Sequence, residues 1–242
     1  MTVGISVVVP VKDEVENVAP LAHEIATAIA SEAAAEIIFV DDGSTDGTCE
    51  ALATLRPQLP QLRIIRHARN AGQSRSIRTG VRAARFDVIV TLDGDGQNDP
   101  ADIPKLLAIL REGTGVRGVG LVSGIRARRK DSLSRRLASR AGNAVRSHLL
   151  HDGASDTGCG LKAFHRDAFL ALPYFDHMHR FIIALMLREG FEVRFVEVNH
   201  RERRHGASKY TNFSRLLVSV NDLLGVRWLQ RRYRGETEAR EL

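Results

Sequence analysis

The sequence predicts an α/β domain built on a mostly parallel sheet with helices on both faces. Three observations carry this. Short apolar runs without alternation recur through the first half, as strands buried on both faces do. Helical patterns separate them at regular intervals. Acidic and glycine-rich segments follow the strands, where open α/β sheets bind ligands.

The elements follow in order. Ile5–Val9 is a strand stopped by Pro10, and the alanine-rich Glu14–Ala30 a helix. Glu36–Val40 is the second strand, with a helix over Asp46–Leu55 ended by Pro57. Arg63–Arg66 is a short third strand. Gly72–Ala84 is a helix with Ile77 and Val81 on one face, and Asp87–Leu92 the fourth strand. Pro100–Leu110 is a helix with proline in its first turn. Val119–Ser123 is the fifth strand.

The second half is less regular. Asp131–Leu150 reads as a basic amphipathic helix and Gly160–Phe164 as a strand. Short helices are expected near Asp167–Leu172 and over His177–Arg188, then a strand over Phe191–Val198. His200–Tyr210 is a polar, basic loop. Phe213–Leu229 is an amphipathic helix with Phe213, Leu216, Leu217, Val220, Leu224 and Trp228 on one stripe. It suits either core packing or a membrane interface, with Trp228 and the following arginines at headgroup level. Residues 1–230 form one domain, with a regular half over 1–125, a less regular half over 126–230 and a charged tail over 231–242.

Composition narrows the classes. The 242 residues are 43% hydrophobic and 26% charged, enough for a core. Two cysteines exclude a disulfide scaffold. No apolar run reaches the ~20 residues that span a bilayer, and the N-terminus lacks a signal-peptide pattern. The expected location is the cytoplasm, or the periphery of the membrane's cytoplasmic face. The net charge of +6 points to an anionic partner. Nine Arg or Lys and one acid lie between Arg117 and Arg146. A nucleic-acid-binding module is the non-enzymatic alternative, but aromatics at 5% are poor for base stacking.

The carboxylates are more telling. Asp93, Asp95 and Gln97 sit two apart after a strand, so three hard oxygen donors can converge on Mg²⁺ or Mn²⁺. Asp42 follows another strand and can accept hydrogen bonds from a nucleobase or ribose. Its neighbour Asp41 carries a like charge, a repulsion that needs a structural reason. Asp156 is suited equally to capping its loop or, functionally, to orienting an arginine or approaching a ligand. Cys159 reads as a small buried hydrophobe, Phe181 as core, and His179 as a residue able to meet a ligand.

Three segments in this order, ISVVVPVKDEVENV, VDDGSTDGT and TLDGDGQNDP, resemble family 2 glycosyltransferases of the GT-A type. The later segments RRLASRAGN, DTGCGLKAF, HRF and RERRHGASKY resemble dolichol-phosphate mannosyltransferases and bacterial polyprenyl-phosphate glycosyltransferases. The resemblance implies a GT-A, Rossmann-like fold. It implies donor contacts at Pro10, Lys12, Asp13, Glu14 and Asp42, and metal ligands at Asp93, Asp95 and Gln97. It implies acceptor-phosphate contacts at Arg126 or Arg128, Arg135 and Ser139. Arg203 and Lys209 would close over the donor pyrophosphate, with Asp95 and Arg203 central to catalysis. The implied reaction inverts a hexose, favouring mannose from GDP-mannose, as it passes to a polyprenyl phosphate at a membrane surface. A UDP-sugar donor, or a saccharide hydroxyl as acceptor, is the alternative. A phosphate acceptor is already ionised near neutral pH, so no general base is required.

Overall fold

The computed structural model describes residues 4–113, 118–126, 146–202 and 212–235, with side chains from 220 onward in the last helix. Seven strands form one sheet: β1 (Ile5–Val11), β2 (Ala35–Asp41), β3 (Leu62–Arg66), β4 (Val88–Thr91), β5 (Val119–Arg126), β6 (Lys162–His165) and β7 (Glu192–Val198). Their spatial order is β3-β2-β1-β4-β6-β5-β7. β1 to β4 are mutually parallel, and β5 and β7 are parallel. β6 alone runs antiparallel, between β4 and β5.

The helices are α1 (Val15–Ala28), α2 (Thr48–Leu55), α3 (Gln73–Ala83), α4 (Ile103–Arg111), α5 (Arg166–Ala171), α6 (Ile182–Arg188) and α7 (Asn212–Arg232). Strand residues divide between two cores by parity. Val7, Val9, Ile37 and Phe39 pack under α1, α2 and α4. Val8, Ile38 and Val40 pack against Ile77 and Val81 of α3 and the residues of α6. Period-two alternation with both faces covered is why these strands read as unbroken apolar runs. α3 lies so close to the sheet that a Cβ at Gly80 would stand 2.4 Å from Val8 Cγ1.

The structure corrects several expected boundaries. Pro10 does not stop β1, which pairs with β2 through Val11. β4 ends at Thr91 opposite Val8. Beyond Val8, β1 has a strand on one side only, where a missing N–H costs little. His177–Arg188 is not one helix. His177 is left-handed (φ 62°), and a 3₁₀ turn at Met178–Arg180 precedes α6. Of the basic helix expected at Asp131–Leu150, only 146–150 is described, and it is helical. Arg128, Arg135, Ser139, Arg203 and Lys209 lie outside the described residues.

α7 meets the core with residues outside the expected stripe, whose described members face away from it. Val226 is buried, and Leu223 and Leu229 pack on the core. Val220, Leu224 and Trp228, one helical turn apart, face outward at 46, 59 and 58% exposure. No described helix is long and apolar enough to cross a membrane.

Candidate functional site

A cavity of about 220 Å³ opens at the carboxyl end of the parallel strands. Its walls come from the end of β1 (Pro10), the start of α3 (Gly72, Gln73), the end of β4 (Asp93), the loop 157–160 with Lys162, and the turn Asp176–Arg180. Of the residues singled out in the sequence, Pro10, Asp93, Cys159 and His179 line it directly.

Asp93 is held from several sides. Its backbone N–H donates to Asn98 Oδ1 at 3.1 Å, and Gln73 Nε2 donates to its Oδ1 at 2.8 Å. A Cβ on Gly160 would stand 2.4 Å from Asp93 Cγ, so only glycine admits the carboxylate there. Burial, then the neighbouring Asp95 charge, pushes the Asp93 carboxyl up to about 6, against the opposing pull of Lys162, Arg126 and Gln73. Asp95 Oδ1 accepts the Gln97 N–H at 3.1 Å, which folds the loop back on itself.

Asp93, its proton affinity raised by burial and by the neighbouring Asp95 charge, favours a cation beside it. Among the described residues no three His, Cys, Asp or Glu side chains converge on one point. This donor set suits a hard divalent ion that takes its remaining ligands from water and a bound diphosphate.

The other acidic loop is built differently. Asp41 and Asp42 avoid repulsion by facing different partners. Asp41 accepts the Ser44 N–H at 2.9 Å and lies 3.3 Å from Arg66 Nε. Asp42 accepts the N–H groups of Ala71 and Gly72 at 2.8 Å each, and His67 Nδ1 stands 2.8 Å from its Oδ1. Asp42 is thus engaged inside the protein, where it fixes the turn that enters α3. Asp13, left-handed at φ 49°, accepts the Thr45 N–H at 2.9 Å and donates its own to Ser44 Oγ. Lys12 Nζ donates to the Gly43 carbonyl, and the Glu14 N–H to Thr48 Oγ1. Lys12, Asp13 and Glu14 therefore lock the β1–α1 loop to the β2–α2 loop.

Arg126 forms a two-toothed pair with Asp156, Nε to Oδ2 and Nη2 to Oδ1 at 2.7 Å each. Asp156 also accepts the Gly158 N–H. It both caps its loop and orients an arginine, so the two roles expected of it coexist. Cys159 is buried and burial raises its thiol, and Phe181 is in the core, both as expected. After β7, Asn199 and Arg201 fasten the chain to the loop that follows β4. Asn199 Nδ2 donates to Asp99 at 2.9 Å, Arg201 Nη2 lies 2.6 Å from Asp99, and the Arg201 N–H donates to the Gln97 carbonyl at 2.9 Å.

Sequence reasoning missed Gln73, Ser74, His67 and Lys162. Lys162 is 4% exposed in the central antiparallel strand, where burial lowers its pKa despite Asp93 nearby. A lysine set between Leu161 and Ala163 in an apolar strand is itself a signal of a buried charge. Nothing local marks the other three, whose partners lie 12 to 105 residues away.

The comparisons agree with this geometry. A profile of Glycosyl transferase family 2 matches residues 6–172. The chain is 36% identical over 235 residues to dodecaprenyl-phosphate galacturonate synthase of Rhizobium johnstonii, covering 94% of this chain and 67% of that protein. It is 35% identical over 224 residues to undecaprenyl-phosphate 4-deoxy-4-formamido-L-arabinose transferase of Pectobacterium carotovorum, covering 91% and 66%. The chain thus spans about two thirds of the length of the curated relatives it matches. Mannosyl-3-phosphoglycerate synthase from Rubrobacter xylanophilus has a similar fold, with TM-score 0.74, 18% identity, and 98% and 77% coverage. So has glucosyl-3-phosphoglycerate synthase from Mycobacterium tuberculosis bound to Mn²⁺ and UDP, with TM-score 0.69, 18% identity, and 94% and 79% coverage. The two named relatives handle galacturonate and a formamido-arabinose, so the expected preference for mannose has no support from them. Fold, strand-end carboxylates and sequence agree: the chain belongs to glycosyl transferase family 2.

Proposed function

We propose that the protein moves a sugar from a uridine diphosphate donor to a polyprenyl phosphate. The observation that carries this is the Asp93–Asp95 pair at the end of β4, with Asp93 forming one wall of the cavity. Relatives that act on dodecaprenyl and undecaprenyl phosphate support the acceptor. A fold neighbour that binds UDP with Mn²⁺ supports the donor over GDP-mannose.

Asp93, Asp95 and Gln97 would hold Mg²⁺ or Mn²⁺, which when bound supplies Lewis-acid charge to the leaving diphosphate. Gln73 keeps Asp93 in one orientation through its Oδ1. Lys162 and Arg180 bring positive charge to the same cavity, where low dielectric strengthens it. The acceptor phosphate oxygen attacks C1 as the bond from C1 to the β-phosphate oxygen breaks, and UDP leaves. In-line attack inverts the anomeric centre. No base is needed, and His179, held at about 3 chiefly by burial, is a poor one. Arg128, Arg135 and Ser139 are proposed for the acceptor phosphate, and Arg203 and Lys209 for the donor. Arg126, its fork engaged by Asp156, joins the acceptor group by orienting that wall. The outward stripe of Val220, Leu224 and Trp228 suits peripheral contact with a membrane carrying the lipid.

Calorimetry with UDP-glucose, UDP-galacturonic acid and GDP-mannose, in Mn²⁺ and in EDTA, tests the donor. Metal-dependent binding of a UDP-sugar is expected. Binding of GDP-mannose alone would reinstate the mannosyl donor. Transfer to undecaprenyl phosphate in detergent then tests the acceptor.

A further inference from the structure

The first turn of α3 joins two walls of the cavity through adjacent residues. Gln73 holds Asp93 on one side, and Ser74 holds His179 on the other. Ser74 is 1% exposed. Its Oγ accepts the backbone N–H of His179 at 3.2 Å and stands 2.7 Å from His179 Nδ1. A hydroxyl has one proton to give, and Nδ1 is its acceptor among the described contacts. With the hydroxyl proton given to Nδ1, the ring proton sits on Nε2. The ring lines the cavity, and no described group pairs with Nε2.

We propose that His179 is a specificity residue whose Nε2–H donates to an uncharged oxygen of the transferred sugar. The inference rests on the nucleotide-sugar reading above. Burial, reinforced by Arg180, Lys162 and His177, keeps the imidazole neutral at about 3. A neutral donor suits a hydroxyl or other uncharged sugar oxygen. The anionic diphosphate has cationic partners in Lys162 and Arg180 of the same cavity. The turn that carries it is fixed as well. His177 is left-handed, its N–H donates to Asp176, and its Nδ1 lies 3.5 Å from Asp222 of α7. A sugar without the matching oxygen would leave a fixed N–H unpaired, which disfavours it by a factor of about ten to a hundred.

The test compares the wild-type chain with His179→Phe, His179→Gln and Ser74→Ala by calorimetry in Mn²⁺. The ligands are UDP, UDP-glucose, UDP-galactose and UDP-galacturonic acid. Wild type should bind one UDP-sugar more tightly than UDP. His179→Phe should bind UDP within about twofold of wild type, yet lose about ten- to a hundredfold for that sugar. His179→Gln, which keeps an N–H at similar reach, should recover most of the loss. Ser74→Ala frees the tautomer and should fall between, and it keeps the test alive should His179→Phe fail to fold. An equal loss for UDP would assign His179 to the diphosphate and overturn the proposal. Unchanged affinity for every UDP-sugar would do the same. Failure of wild type to bind UDP at all would overturn the nucleotide-sugar reading, and this one with it.

Discussion

The loops after β2 and β4 are both acidic, both glycine-rich and both at strand ends, yet they are electrostatic opposites. After β2 the carboxylates are engaged by partners inside the protein. Asp42 meets two N–H groups and His67, and Asp41 meets Ser44 and Arg66. Burial would raise Asp46, but the Thr48 hydroxyl and the N–H groups of Val15 and Thr48 outweigh it, and its pKa falls. After β4, burial and Asp95 raise Asp93 to about 6. The first loop spends its charge on folding, and the second stores unfavourable charge at a cavity. Engagement by internal partners, not residue type, separates the first pair from the one proposed to hold a cation.

Substitutions that remove the charge sharpen the contrast most. Asp95→Asn or Asp93→Asn should lower turnover by more than about a hundredfold. Asp93→Asn should leave the melting temperature unchanged or higher, because the Gln73 bond can persist while the repulsion goes. Normal turnover in either variant would erase the distinction. Asp42→Asn should do the reverse to stability. An amide cannot accept every bond that Asp42 accepts, and a buried mismatch costs about 2–3 kcal/mol. Thermal melting would show a drop of roughly 5–10 °C for a chain of this size.

Acid should separate the loops next. Below pH about 6 the Asp93 carboxyl takes up a proton, and a protonated acid is a poor metal ligand. Mn²⁺ titrations from pH 7.5 to 5 should show affinity falling as the pH passes below that value. A flat profile would mean Asp93 is not a ligand. Arg126→Lys should cost about 1–3 kcal/mol, since an ammonium cannot reproduce the fork to Asp156. The smallest effect is expected at Trp228→Ser, whose exposed ring should leave chemical-denaturation stability within about 0.5 kcal/mol.

Much of the parallel half was legible in the sequence. Its strands are buried on both faces, so every residue from Ile37 to Val40 had to be apolar, and such runs need no partner to be seen. The strand-end carboxylates were legible for a related reason, because charge next to an apolar strand must lie at its end. The antiparallel direction of β6 was not, since four residues flanked by Gly160 and a short helix carry no mark of direction. The break at His177 was hidden as well, because the left-handed turn depends on Asp176 and on Asp222 of α7.

The amino-acid order alone determined the layering of helices on sheet, the position of the acidic loops and the family. Each depends on local periodicity or on residues adjacent in the chain. Only the tertiary structure decided which aspartates are engaged inside the protein, that Lys162 is buried beside Asp93, and that Ser74 meets the ring of His179. Those outcomes depend on hydrogen bonds between residues as far apart as Ser74 and His179. Whether such a bond satisfies a polar group or leaves it available is decided only when the chain closes around it.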